Sequence, residues 1–177
     1  MKLTQEQEHG LMEIVNKHVS EPRRVLKSIG PYIVFDIDGT LANIKHRLHN
    51  IQDGNKNWEK FNSECHKDEP NKHIIEINKL MCDRNNPKHY PAIIVTGREE
   101  TYAAETREWL QNHGITWTYL FMRPTKDYRS DVEIKREIIE KYIQPAEILF
   151  VLDDREKVVD LWRSMGYKCL QVQKGDY

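Results

Sequence analysis

Three short apolar runs, each ending in a side chain that carries chemistry, limit what this chain can fold into. Tyr32-Ile33-Val34-Phe35 leads into Asp36, Ala92-Ile93-Ile94-Val95 into Thr96, and Ile148-Leu149-Phe150-Val151-Leu152 into Asp153-Asp154. Four or five consecutive apolar residues, rich in β-branched types, read as strands buried on both faces. Helical spacing fits 72–82, with Ile74, Ile75, Ile77 and Leu80, and also 101–113, 131–142 and 157–165; Gly114 and Gly166 stop two of these. Further strands fit 117–122 and 167–172. This alternation predicts an α/β fold, a mainly parallel sheet with helices on both faces. Ligands of such sheets bind beyond the carboxyl ends of the strands, so positions 36, 96 and 153 are expected to meet at one edge.

A chain of 177 residues suits one domain. Residues 1–30 read as an N-terminal helical segment: Thr4 caps, Gln7 completes the box, and Leu11, Ile14, Val15, His18 and Val19 form one stripe. Docking on the domain and self-association into a homo-oligomer are both open for this helix. Residues 31–177 form the main domain. Within it, 43–71 is polar and long for a loop, and is read as a small cap insertion holding short helices.

A net charge of −1 excludes a broad basic surface, so any nucleic-acid contact is local. No apolar run is long enough to cross a bilayer, and residues 1–20 lack the apolar stretch of a signal peptide. Cys65, Cys82 and Cys169 are far apart and odd in number, which predicts a reducing, cytoplasmic setting without a disulfide framework.

Asp36-Ile37-Asp38-Gly39-Thr40 places two carboxylates two residues apart at a strand end, and Gly39 lets the chain turn at once. That pattern suits transfer of a phosphoryl group to Asp36, with Asp38 as general acid and then base. The plainer alternative is a solvated acidic turn. Thr96, Gly97 and Arg98 offer a hydroxyl, backbone N–H groups and a planar cation to phosphate, or alternatively the capped start of a helix. Lys135 sits among Asp131, Glu133 and Glu137, where an ion-paired surface lysine is the simple reading. Asp153 and Asp154 repel unless a cation neutralises them, and with Asp36 they make an oxygen-rich site suited to Mg²⁺; the alternative is a helix cap and acidic first turn. His46 and His49 lack a third ligand for zinc and read as cap or surface residues. Trp58 and Phe61 form either a stacking platform for a base or the packing of the cap.

These residues, in this order, resemble the haloacid dehalogenase superfamily of phosphotransferases: Asp36–Thr40 as first motif, Thr96 as second, Lys135 as third and Asp153-Asp154 as fourth. The resemblance implies a Rossmann-like fold, Mg²⁺ and an aspartyl-phosphate intermediate. It makes Asp36 nucleophile and metal ligand, Asp38 the acid/base with its carbonyl on the metal, and Asp153 and Asp154 the remaining ligands. Phe121-Met122-Arg123-Pro124, Asp127-Tyr128-Arg129, Asp153-Asp154-Arg155, Leu161-Trp162-Arg163 and Gly175-Asp176-Tyr177 are similar to the 3′-phosphatase part of phage-type polynucleotide kinase/phosphatases. By that likeness Arg47 and Arg98 are the arginines that bind substrate, and Asp131 holds Lys135 from one helical turn away.

The implied activity is a phosphatase acting on a 3′-phosphorylated DNA or RNA end or a 3′-nucleotide. No G-x-x-x-x-G-K-[ST] string occurs, so a 5′-kinase is not expected here, and a separate kinase or ligase is the expected partner. Segment 43–71 is longer than in the bifunctional phage enzyme. That keeps open a small-molecule 5′(3′)-nucleotidase and, from another class, a non-catalytic nucleotide-binding module.

Overall fold

The structure is a computed structural model. It describes residues 31–52, 54, 56–143 and 147–175, and the expected helix at 4–19 lies outside these residues. Strands β1 (Tyr32–Phe35), β4 (Ala92–Glu99), β5 (Tyr119–Arg123), β6 (Ile148–Arg155) and β7 (Cys169–Gly175) form one parallel sheet in the order β5-β4-β1-β6-β7. The short pair β2 (Ala42–Asn43) and β3 (Glu69–Pro70) is antiparallel and closes the root of an insertion. The helices are α1 (Trp58–Ser63), α2 (Lys72–Cys82), α3 (Ala103–Asn112), α4 (Asp131–Tyr142) and α5 (Glu156–Ser164).

Period-two alternation sorts the central strands into two cores. Ile33, Phe35, Ala92, Ile94 and Leu152 face Ile74 and Ile75 of α2 and Trp109 and Leu110 of α3. Tyr32, Val34, Ile93, Val95 and Val151 face Ile134 and Ile138 of α4 and Val158 and Trp162 of α5. All four residues of β1 are fully buried, because helices cover both its faces. The mainly parallel α/β architecture read from the sequence is the one found.

Two strands outrun their apolar segments. Strand β4 continues through Thr96, Gly97 and Arg98 to Glu99, so Thr96 does not end the strand and caps no helix. Strand β6 continues through Asp153 and Asp154 to Arg155, with Arg155 at the N-cap of α5, which removes the cap alternative for the aspartate pair. In both, partners in the neighbouring strand supply the ladder: Glu99 opposes Arg123 and Asp153 opposes Gln171. Polar side chains beyond an apolar run continue as strand when the flanking strand extends with them.

Candidate active site

The amide of Asp36 donates to the carbonyl of Leu152 at 3.0 Å, which ties the end of β1 to β6 beside Asp153. The chain then turns at Gly39, whose φ of 89° is costly for any residue with a Cβ. Gln173 Nε2 donates to the Gly39 carbonyl at 2.6 Å and Asn71 Nδ2 to the Thr40 carbonyl at 2.8 Å, so β7 and the base of the insertion both hold this turn.

Lys135 is fixed by the start of its helix. The Ser130 hydroxyl accepts from the Glu133 amide at 3.3 Å and Glu133 accepts from the Ser130 amide at 2.9 Å, a complete capping box. Ile134, Ile138 and Ile139 bury one face of α4, and Lys135 turns inward with them. It is buried, not the surface lysine that its acidic neighbours suggest. Its Nζ donates to Asp36 at 2.7 Å and to Asp153 at 2.9 Å, with Asp131 farther at 3.6 Å. Asp131 therefore attends Lys135 but does not hold it most closely. It also faces Arg123 at 3.7 Å and Arg155 at 3.6 Å, and its Oδ1 is buried without a hydrogen-bond partner. A Cβ on Gly97 would lie 2.3 Å from that oxygen, so a side chain there would displace the Asp131 carboxylate.

Asp36, Asp153 and Asp154 are buried and bring one carboxylate oxygen each within 4.8 Å of one another. Asp153 also accepts from Trp162 Nε1 at 3.3 Å and from the Arg155 amide at 3.2 Å. A Cβ on Gly175 would lie 2.1 Å from Asp154 Oδ2, so β7 leaves a space that the carboxylate fills. Burial pushes the Asp36 carboxyl well above its usual range; Lys135 opposes this, and Asp153 and Asp154 reinforce it. For Lys135, burial favours the neutral amine, but Asp131, Asp153 and Asp36 outweigh it and hold the ammonium well above its ordinary value. One buried ammonium thus lies among three clustered carboxylates. An all-oxygen, anionic donor set fits a hard divalent cation such as Mg²⁺ and not zinc.

Asp38 stands in a different setting. Arg47 Nη2 reaches it at 2.6 Å, and Arg98 reaches the same oxygen through Nε at 2.9 Å and Nη2 at 2.6 Å. Both guanidinium groups continue to Asp68: Arg47 through Nε at 2.7 Å and Nη2 at 2.6 Å, Arg98 through Nη2 at 2.6 Å. Burial would raise the Asp38 carboxyl, but the two arginines override it and hold it far below the usual carboxylate range. Arg47 also donates to the Phe61 carbonyl at 3.1 Å and lies 3.9 Å over the Phe61 ring.

Arg47, expected to contact substrate, is a fully buried cation between two carboxylates in this structure. Thr96 and Arg98 are buried as well, and of the three TGR residues Gly97 alone lines the cleft. The Thr96 hydroxyl accepts from the Arg98 amide at 3.2 Å, while Arg98 Nη1 is buried with no hydrogen-bond partner. Asp68 was not foreseen. It lies in a polar insertion, 30 residues from Arg98 and 21 from Arg47, with no motif to mark it. The exposed His46 reaches Asp68 at 2.9 Å, and Trp109 Nε1 fixes the Asp68 carbonyl at 2.7 Å.

The cleft above these groups has a volume of about 870 Å³. Its walls include Asp36, Asp38, Lys135, Asp153 and Asp154 at the base, Lys56–Glu59 and Phe61 from the insertion, and Asp127–Val132 from the loop after β5 and the start of α4.

A parallel α/β sheet carrying a DxD strand end, a buried lysine and a paired-aspartate strand end defines a haloacid dehalogenase-type phosphatase domain. A haloacid dehalogenase-like hydrolase from Streptococcus pneumoniae shares this fold, with a TM-score of 0.55 at 13% identity over 80% of this chain and 83% of its own. Residues 31–177 match the family described as the polynucleotide kinase PNKP phosphatase domain, and the chain belongs to that family. It is similar to a chain of the Pnkp1/Rnl/Hen1 complex, at 31% identity and a TM-score of 0.68 over 85% of this chain and 49% of that one. It is also 28% identical, over 137 residues, to a protein of Autographa californica nuclear polyhedrosis virus described as a bifunctional polynucleotide kinase/RNA ligase. That match covers 75% of this chain and 18% of the viral protein. The chain thus spans about half the length of the solved relative and a smaller part of the viral one.

Proposed function

We propose that this chain is a Mg²⁺-dependent phosphomonoesterase that works through an aspartyl-phosphate on Asp36 and removes 3′-phosphates from nucleic-acid ends. The observation that carries the reading is the pairing of Asp36 with a buried ammonium at 2.7 Å while Asp38 is held by two guanidinium groups at the same cleft. Two carboxylates in opposite surroundings divide the work of nucleophile and proton carrier.

An Asp36 oxygen attacks phosphorus, the P–O3′ bond breaks, and the leaving oxygen takes a proton from Asp38. Water then attacks the aspartyl-phosphate, gives its proton to Asp38, and phosphate leaves. The arginines keep Asp38 ionised in the free protein, the form that accepts a proton from water. The negative charge of an incoming phosphate raises the proton affinity of Asp38, which prepares the acid form. Lys135 stabilises the non-bridging oxygens, and the Gly97 backbone meets them without a side chain between. Asp36, Asp153, Asp154 and the Asp38 carbonyl would hold Mg²⁺, which, when bound, supplies the positive charge that this carboxylate cluster lacks. The names of the relatives, with their kinase, ligase and complex partners, support a place in end repair, where a 3′-hydroxyl product is what a ligase joins.

Phosphate release with Mg²⁺ from a 3′-phosphorylated oligonucleotide, a 3′-nucleotide and a 5′-nucleotide, assayed in parallel, tests the assignment. The oligonucleotide is expected to have the highest kcat/KM, and acid quenching during turnover should trap a labelled protein that Asp36→Asn does not form. Preference for the 5′-nucleotide would replace this reading with the nucleotidase one.

A further inference from the structure

Among the described residues four large apolar side chains are exposed: Trp58 at 47%, Leu80 at 72%, Tyr128 at 86% and Leu170 at 52%. The two aromatic ones line the cleft over Asp36, and the two aliphatic ones do not. Scattered exposed apolar residues are ordinary, but two rings of the stacking type at the mouth of one polar cleft are a selection.

Each ring is braced from behind. Trp58 opens α1, whose Asn57 cap accepts from the Lys60 amide at 3.0 Å, and it meets Phe61 edge-on at 5.7 Å. Phe61 is itself buried under the Arg47 guanidinium. Of the expected aromatic pair, then, Phe61 is buried in the packing of the insertion and Trp58 is exposed at the cleft. Tyr128 is held through its neighbours: Arg123 Nη1 donates to the carbonyls of Asp127 at 3.1 Å and Arg129 at 2.6 Å. The Arg129 guanidinium also grips the Asp127 carboxylate, which folds this short segment on itself. A ring so exposed on a segment so tightly bonded is preorganised for a partner. Charge accompanies the rings. Lys56 and Lys157 are exposed, line the same cleft and form no ion pair among the described residues.

We propose that Trp58 and Tyr128 are a base-stacking subsite that receives the last nucleotides of a single-stranded 3′ end, with Lys56 and Lys157 on the phosphodiesters that follow the terminal phosphate. The inference rests on the 3′-phosphatase reading and adds what selects a polymer end over a free phosphate ester. Base–aromatic stacking accepts any base, so the subsite reads single-strandedness and not sequence. Two lysines against a short strand fit a protein without a broad basic face.

The test compares kcat/KM for a 3′-phosphorylated tetranucleotide, the same length built from abasic spacers, and acetyl phosphate, which has no ring to stack. The wild-type protein should favour the tetranucleotide over the abasic chain. Trp58→Ala and Tyr128→Ala should each lower the ratio of tetranucleotide to acetyl phosphate about tenfold, mainly through KM, and Trp58→Phe and Tyr128→Phe should restore most of it. Lys56→Ala should lower tetranucleotide and abasic chain together. An equal wild-type rate on abasic and normal chains, or no ratio change in the alanine variants, overturns the subsite. Failure of the broader reading looks different: acetyl phosphate is hydrolysed and no 3′-phosphorylated chain is.

Discussion

Asp36 and Asp38 are two residues apart and live in opposite electrostatic worlds. Asp36 belongs to a well of three buried carboxylates around one ammonium. Asp38 belongs to a ring of two carboxylates and two guanidinium groups that already balances. The well gathers three carboxylate oxygens within 4.8 Å of one another, and it is where the proposed Mg²⁺ would sit. The ring ties the insertion to the sheet, and on the proposed mechanism its Asp38 also carries the proton. The comparison shows how one five-residue motif can serve both needs, because different strands and segments furnish the surroundings of each aspartate.

The largest break comes from the two aspartates themselves. Asp36→Asn is expected to abolish turnover on every ester, whereas Asp38→Asn should lose about 10²–10⁴-fold on a 3′-phosphorylated oligonucleotide. The Asp38→Asn loss should shrink on p-nitrophenyl phosphate, whose leaving group needs no proton; steady-state rates on both substrates decide it. Lys135→Met should cost roughly 10²–10³-fold in kcat, since it removes a preorganised cation from the developing charge.

The ring is best broken from its far side. Asp68→Asn leaves two buried guanidinium groups facing one carboxylate, and urea unfolding should show a loss of about 3–5 kcal/mol. Asp38 is held below the ordinary carboxylate value in the folded chain, so its stabilisation is complete above about pH 4 and falls away only on acidification. In the well the sign reverses. Without divalent cation, Asp154→Asn relieves like-charge crowding by about 1 kcal/mol and should raise the melting midpoint by about 2–4 °C. Mg²⁺ should stabilise the unmutated protein more than this variant.

The smallest effect lies outside both regions. Cys65, Cys82 and Cys169 are buried, and burial pushes Cys82 and Cys169 up to about 12, so all three should be silent to a thiol reagent at pH 8 until the chain unfolds.

Much of this was legible in the sequence because it rests on short-range pattern. The apolar runs at 32–35, 92–95 and 148–152 marked the three central strands, and residues 72–82 and 131–142 are helices with the bounds that their periodicity suggests. Asp36, Asp153 and Asp154 converge as strand ends in a parallel sheet require, and helix α4 brings Lys135 to them. The roles of the arginines were not legible. A sequence shows that Arg47 follows Asp36 by eleven residues, but not whether its guanidinium faces substrate or braces a carboxylate. That depends on Asp68, whose position is set by how the insertion folds back through β2 and β3. The ends of β4 and β6 were read short because hydrophobicity stops where the polar site begins.

The ring has one further consequence. Arg47 and Asp68 come from the insertion, Asp38 and Arg98 from the sheet side, so each partner contributes one cation and one anion. Two neutral bodies meet there, and the attraction between them fades much faster with distance than that between opposite net charges. Ionic strength thus has little long-range pull to screen, and shape, more than salt, determines how the insertion seats. The salt dependence of the enzyme should then belong to its substrate and not to its fold.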